Sequence, residues 1–302
     1  MSSSIQNLTH LIFRGCGKLK YIFSSSIFKS FVNLRRLEIF RCEVLEEVII
    51  FPHLEEIIEE QNDTISFHHL ELNEEERKDR IFPRLECLVI KDLEKLTRFC
   101  SGNYIEFPFL KHLEIVQCPL FKAFMFTNIS TDSEETQPFF KEKVALPSLE
   151  EMVISGMDNL KIIWNNQLSE HSFRKLQIVR VSGCQNLENL FPASIARNLF
   201  ELEELEMVNC GVEEIVSKEE RAEAAVMFVF PRVTFLKLSF LQRLRCFYPG
   251  THSSEWLVLK NLEVYDCDDM KIFTSKFLSH QETNEYQVNV PVEQALFLVE
   301  KV

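Results

Sequence analysis

The chain has 302 residues, 46% of them hydrophobic and 26% charged, enough apolar material to bury a core and ordinary for a folded protein. Its 46 acidic against 33 basic side chains leave a net charge of -13, which repels phosphate backbones and anionic lipid and argues against nucleic acid as a partner. No run reaches the roughly 18 apolar residues of a membrane span, the N-terminus has neither the basic nor the apolar part of a secretory signal, and nine cysteines are an odd number, so a cytoplasmic chain with free thiols is expected.

From residue 8 onward one template recurs, with apolar residues at offsets 0, 3, 5, 8, 11 and 14. In the first copy these are Leu8, Leu11, Phe13, Cys16, Leu19 and Ile22; later copies begin at Leu34, Leu85, Leu110, Leu149, Leu176, Leu202, Val233 and Leu259. The starts are 26, 51, 25, 39, 27, 26, 31 and 26 residues apart. Alternation at offsets 3 and 5 predicts a short strand with those side chains inward, and offsets 8, 11 and 14 point back to the core as the chain returns. This consensus and a period of about 20 to 29 residues define leucine-rich repeats. The expected fold is therefore an α/β solenoid, a horseshoe with a parallel β-sheet on its concave face and short helices or irregular loops on its convex face. We expect a single array over residues 1–302, with acidic irregular insertions near 54–81 and 125–145; the 51-residue step leaves room for a degenerate copy, so nine or ten repeats are expected.

Other signals take their places on this frame. Cys16, Cys42, Cys118, Cys184, Cys210 and Cys267 all fall at offset 8, where a small, weakly polar side chain can be buried against neighbouring backbone, so a structural thiol is expected and not a ligand or nucleophile. Phe51-Pro52, Phe82-Pro83, Phe107-Pro108, Leu146-Pro147 and Phe230-Pro231 precede repeats, as suits a residue with no N–H that holds its predecessor extended. Residues 26–33 and 194–201 each start on a serine and predict a helical turn or two. A repeat starting at residue 8 and the closing Glu300-Lys301-Val302, which echoes Glu142-Lys143-Val144 ahead of an earlier copy, imply an array without capping units and hence a piece of a longer protein.

The alternation of L-x-x-L-x-I-x-x-C with F-P-x-L, as in Phe82-Pro83-Arg84-Leu85 through Ile90, and the phrase Glu213-Glu214-Ile215-Val216 resemble the leucine-rich region of plant coiled-coil nucleotide-binding disease-resistance proteins. The resemblance covers nearly the whole chain. It implies a module that recognises a protein ligand, a pathogen effector or a modified host protein, and restrains an intramolecular nucleotide-binding domain. No G-x-x-x-x-G-K-[ST] loop occurs among the seven glycines, so no cofactor is expected in this chain and ADP or ATP belongs only to a domain outside it. A leucine-rich substrate receptor of a ubiquitin ligase, or a stand-alone binding scaffold, is the alternative.

Residues at offsets 2, 4 and 6 would face solvent on the concave side, and the candidates for partner binding are His10, Arg14, Arg36, Glu38, Phe40, Lys91, His112, Glu114, Arg180, Glu204, Glu206, Phe235, Lys237, Glu263 and Tyr265. Phe40, Phe235 and Tyr265 are expected as large exposed aromatics, a residue type common at interface hot spots. Acidic runs at 55–63, 71–79, 132–135 and 219–223 read as solvated loops that could dock on a basic surface, and His68-His69 has no recognisable ligand spacing. With no catalytic motif in the sequence, no enzyme activity and no catalytic or metal site are expected.

Overall fold

The computed structural model describes residues 4–24, 27, 30–50, 79–101, 105–126, 137–141, 144–165, 173–219, 226–270, 273–275 and 297–299. Nine of its strands, one from each template copy, form a single parallel sheet: β1 (His10–Arg14), β2 (Arg36–Phe40), β3 (Cys87–Lys91), β4 (His112–Val116), β5 (Glu151–Ser155), β6 (Ile178–Ser182), β7 (Glu204–Val208), β8 (Phe235–Ser239) and β9 (Asn261–Tyr265). Register follows the template throughout, so that Leu37 lies between Leu11 and Leu88, and Val179 between Met152 and Leu205. The hydrophobic effect fixes it, because a one-residue slip would turn every leucine outward. The apolar side chains at offsets 3 and 5, mostly leucine and isoleucine, are fully buried from β2 to β8, while Leu11, Phe13, Leu262 and Val264 of the outermost strands are partly covered.

The 51-residue step does not interrupt this sheet. β2 pairs directly with β3, and among the described residues no strand stands between them. The described ends of the two insertions contribute to the fold. Ile81, Phe139 and Phe140 are fully buried, and Asp79–Arg80, Ile105–Glu106 and Val144–Ala145 pair as a second short parallel ladder. Ile81, Phe139 and Phe140 therefore add to the core instead of staying in solvent.

Two tight turns shape most of the coils. One precedes the strand: Leu85 N–H donates to Phe82 carbonyl at 2.9 Å and Leu34 N–H to Phe31 at 3.2 Å, and Pro83 or Pro108 occupies the second turn position, where a preset φ is favourable. The Phe-Pro signals thus mark turns whose aromatic ring enters the core: Phe82 and Phe107 are fully buried, whereas Phe51 lies outside the described residues. The second turn joins offsets 8 and 11, as where Phe121 N–H donates to Cys118 carbonyl at 3.0 Å. Each cysteine at offset 8 turns its thiol toward the carbonyl two residues back, Cys42 to Phe40 at 3.4 Å, Cys118 to Val116 at 3.5 Å and Cys184 to Ser182 at 3.5 Å. Burial pushes the Cys118 thiol up to about 12, so it stays protonated at neutral pH and keeps that bond.

Between strand and second turn, offset 7 takes a left-handed conformation in all nine copies: Gly15, Arg41, Asp92, Gln117, Gly156, Gly183, Asn209, Phe240 and Asp266 have φ between 49° and 66°. This twist lets the offset-7 N–H continue the ladder one step past the strand, donating to the offset-6 carbonyl of the next coil, as from Gly183 to Val208 at 2.9 Å and from Phe240 to Tyr265 at 2.8 Å.

The opposite side carries little helix. Its described segments are short parallel ladders, the longest joining Tyr21–Ser24, Glu47–Ile50, Arg98–Ser101 and Ala123–Phe126. The segments are rich in Phe, Ile and Val, which suit strands better than helices. One α-helical turn, α1 (Ala193–Ala196), is found where residues 194–201 predicted a helix, and its N-cap is Pro192, not Ser194. Ser194 lies inside the turn, and its N–H is satisfied by the Glu219 carboxylate at 2.8 Å. Serine 26 lies outside the described residues. Between the two sides runs an aromatic spine: Phe99 stacks on Phe124 with centroids 4.8 Å apart, and contacts continue through Phe139, Phe140, Phe173 and Trp164 to Phe191. Trp164 spends its one polar group on the Leu190 carbonyl, at 2.6 Å.

Candidate functional site

Strand alternation sends offsets 2, 4 and 6 to the open face of the nine-stranded sheet, where in-register pairing lines them up in three rows. The offset-2 row includes His112, Glu151, Ile178, Glu204 and Phe235; the offset-4 row includes Glu114, Val153, Arg180, Glu206 and Lys237. Neighbouring coils therefore hold opposite charges at cross-strand contact distance.

The result is one array of ion pairs and hydrogen bonds spanning six strands. Lys91 meets Glu114 at 2.7 Å, His112 bridges Glu114 at 3.8 Å and Glu151 at 2.9 Å, and Arg180 reaches Glu151 at 2.8 Å, Glu204 at 2.7 Å and Glu206 at 3.8 Å. Lys237 closes it on Glu206 at 2.8 Å, and this hydrogen bond raises the lysine's pKa. Each link between side chains roughly a third exposed is worth about 0.2 to 1 kcal/mol on its own. What the array does reliably is orient the groups, because the planar guanidinium of Arg180 is held by two carboxylates and cannot rotate freely.

Seven candidates from the sequence, Lys91, His112, Glu114, Arg180, Glu204, Glu206 and Lys237, meet in this array. Arg36 and Glu38 pair with each other on β2. His10 and Arg14 are exposed on β1, and His10 is hydrogen-bonded to Thr9. Glu263 is half-buried on β9. Of the aromatics expected to be exposed, only Tyr265 is, at 54%; Phe40, between Arg14 and Lys91, and Phe235, between Glu204 and Asn261, are half-buried. Glu151 was missed, although its offset of 2 would have found it; it is the carboxylate shared by His112 and Arg180. Val89, at offset 4, is only 3% exposed, so an outward position in the template does not by itself make a contact surface.

Among the described residues no group of three or more His, Cys, Asp or Glu side chains could hold a metal ion, and no helix is long and apolar enough to cross a membrane. His68, His69 and most of the four acidic runs lie outside the described residues.

Comparison with known proteins agrees with this architecture. The probable disease resistance protein At4g27220 of Arabidopsis thaliana is 30% identical over 128 residues, which are 41% of this chain and 14% of that protein. The chain thus corresponds to a minor part of that relative's length. No solved structure matches. A family model described as plant disease resistance protein RPS2-like, leucine-rich repeats, matches residues 1–122 and again 66–211, more than half of the chain. With the repeat register and the parallel sheet, those matches place the chain in the family of leucine-rich repeats of RPS2-like plant disease resistance proteins.

Proposed function

We propose that the open face of the main sheet is the recognition surface of a plant intracellular immune receptor, one that senses a pathogen effector or a modified host protein. The observation that carries this reading is the ion-pair chain from Lys91 to Lys237, whose charges are oriented by partners on a rigid sheet. Charges fixed before contact lose little entropy on binding and select partners by complementarity. The same surface, in the cytoplasm, would restrain a nucleotide-binding switch domain that this chain does not contain, and ADP or ATP would bind there and not here. A protein ligand, and no catalysis, is the expected business of this module.

Arg180→Glu tests the reading, because it sets a fourth carboxylate beside Glu151, Glu204 and Glu206. In the full-length receptor this variant is expected to weaken partner capture or the defence response about tenfold or more while expression stays at the wild-type level. An unchanged response from a stably expressed variant would remove the open face from the site.

A further inference from the structure

Repeat seven, which begins at Leu202, is cut short. After Cys210 its chain skips the second turn: Gly211 N–H donates directly to the Cys184 carbonyl at 3.1 Å, and the next core residues, Val212 and Ile215, come one place away from the template positions. Gly211 lies so close to the preceding coil that a Cβ there would sit 1.8 Å from the Gln185 carbonyl oxygen. The missing turn leaves a notch in the rim where the strands of the main sheet end. Two adjoining cavities share it, of about 700 Å³ and about 490 Å³, both lined by Gly211 and Arg243. The larger is bounded by Gln185, Asn209, Phe240 and Gln242, the smaller by Lys161, Asn186, Glu188, Asn189, Glu213 and Glu214.

The shape suits a peptide. From Lys161 in the fifth coil to Arg243 in the eighth the groove crosses three inter-coil steps, about 15 Å, the reach of four or five extended residues. Phe240, half exposed at one lip, offers an apolar platform. In the smaller cavity carboxylates outnumber cations, Glu188, Glu213 and Glu214 against Lys161 and Arg243. Glu213 is already paired, with Arg243 at 2.7 Å and Arg245 at 3.6 Å. Glu214 is different: it is half-buried in the wall and has no cation or hydrogen-bond donor among the described residues. A carboxylate so placed has lost hydration, and when it is ionised an arriving cation compensates that loss.

We infer that the notch at Gly211 is a docking site for an extended segment of a partner protein, with an apolar residue over Phe240 and an arginine or lysine between Glu188 and Glu214. This site lies on the rim and is separate from the open face assigned above.

The test uses a fluorescein-labelled seven-residue peptide of alternating leucine and arginine, and its counterpart with citrulline, which keeps the shape and removes the charge. Each is titrated by anisotropy into the 302-residue chain at low salt. The arginine peptide is expected to bind about tenfold tighter than the citrulline one, and Glu214→Gln is expected to erase most of that preference. Gln242→Arg, a change at an exposed position that plants a cation at the lip, is expected to do the same, whereas Arg180→Gln is expected to leave it intact. Equal binding of the two peptides, or a preference that survives both Glu214→Gln and Gln242→Arg, would overturn the inference. Loss of the preference on Arg180→Gln alone would overturn it too, by moving the peptide to the open face.

Discussion

At offset 7 the backbone must step through left-handed space, and six of the nine residues there carry a side chain that disfavours it. Gly183 and Gly211 separate the two reasons a glycine can be needed. Gly183 has φ +63° and its added Cβ would meet nothing closer than 3.5 Å, so Gly183→Ala is expected to cost only the conformational term, about 1 to 2 kcal/mol. Gly211 has no positive φ, but its Cβ would meet backbone at 1.8 Å, so Gly211→Ala forces two coils apart and is expected to cost more, about 3 kcal/mol. Urea unfolding of both variants checks the order, and equal costs would count against the steric account. Glu214 gives a residue-scale pH dependence. Burial, then the neighbouring charge of Glu213, pushes its carboxyl up to about 7 from an ordinary value near 4.5. The folded chain therefore binds this proton more tightly than the unfolded chain, so the contribution is present below pH 4.5 and is lost as pH rises through 7. Glu214→Gln, which stays neutral, is expected to be more stable than wild type at pH 8 and to lose that advantage toward pH 4.5, as read from melting temperature against pH.

A coil is a strand, its turns and a return segment, none able to bury its apolar side alone. Stability resides in the contact between neighbours, and the aromatic spine is part of that contact. Phe124 stacks on Phe99 and touches Phe107, Phe121, Phe139 and Phe140, so Phe124→Ala opens a cavity between coils and is expected to cost about 3 to 5 kcal/mol. Because coupling runs between neighbours, amide exchange is expected to accelerate in Arg98–Ser101 and β4 and to stay near wild type in β9. Uniform acceleration along the sheet would mean that the array unfolds as one unit. The leucines at offsets 0, 3 and 5 and the cysteines at offset 8 could be read from spacing because each faces the same surroundings in every coil. The return-side ladder of Tyr21–Ser24, Glu47–Ile50, Arg98–Ser101 and Ala123–Phe126 begins thirteen residues after each copy's first leucine, but strand pairing there could not be read from a template whose apolar positions mark only the inward face, and beyond it insertions change the spacing.

Across the whole molecule acidic groups exceed basic ones by thirteen, while the open face is nearly balanced. General repulsion and local pairing then respond to salt with opposite signs. Screening weakens exposed pairs worth a few tenths of a kcal/mol each, and also relieves the repulsion of the excess negative charge. Repulsion involves more charges, so the melting temperature is expected to rise between about 10 mM and 150 mM salt, across which the screening length falls from about 30 Å to 8 Å. A falling melting temperature would show that the ion-pair chain contributes more to stability than its exposure implies.

Spacing in the sequence determined the nine-strand parallel sheet, its register and the buried thiols, because one inward face repeats the same chemistry in each coil. It also placed most of the open-face charges. Tertiary structure alone decided which charges meet, that Glu151 links His112 to Arg180, that Phe40 and Phe235 are half-buried, and that a turn missing at Gly211 leaves a notch. Those outcomes depend on residues 24 to 51 positions apart becoming neighbours about 4.8 Å away, a distance set by the hydrogen-bond ladder and not by the order of the chain.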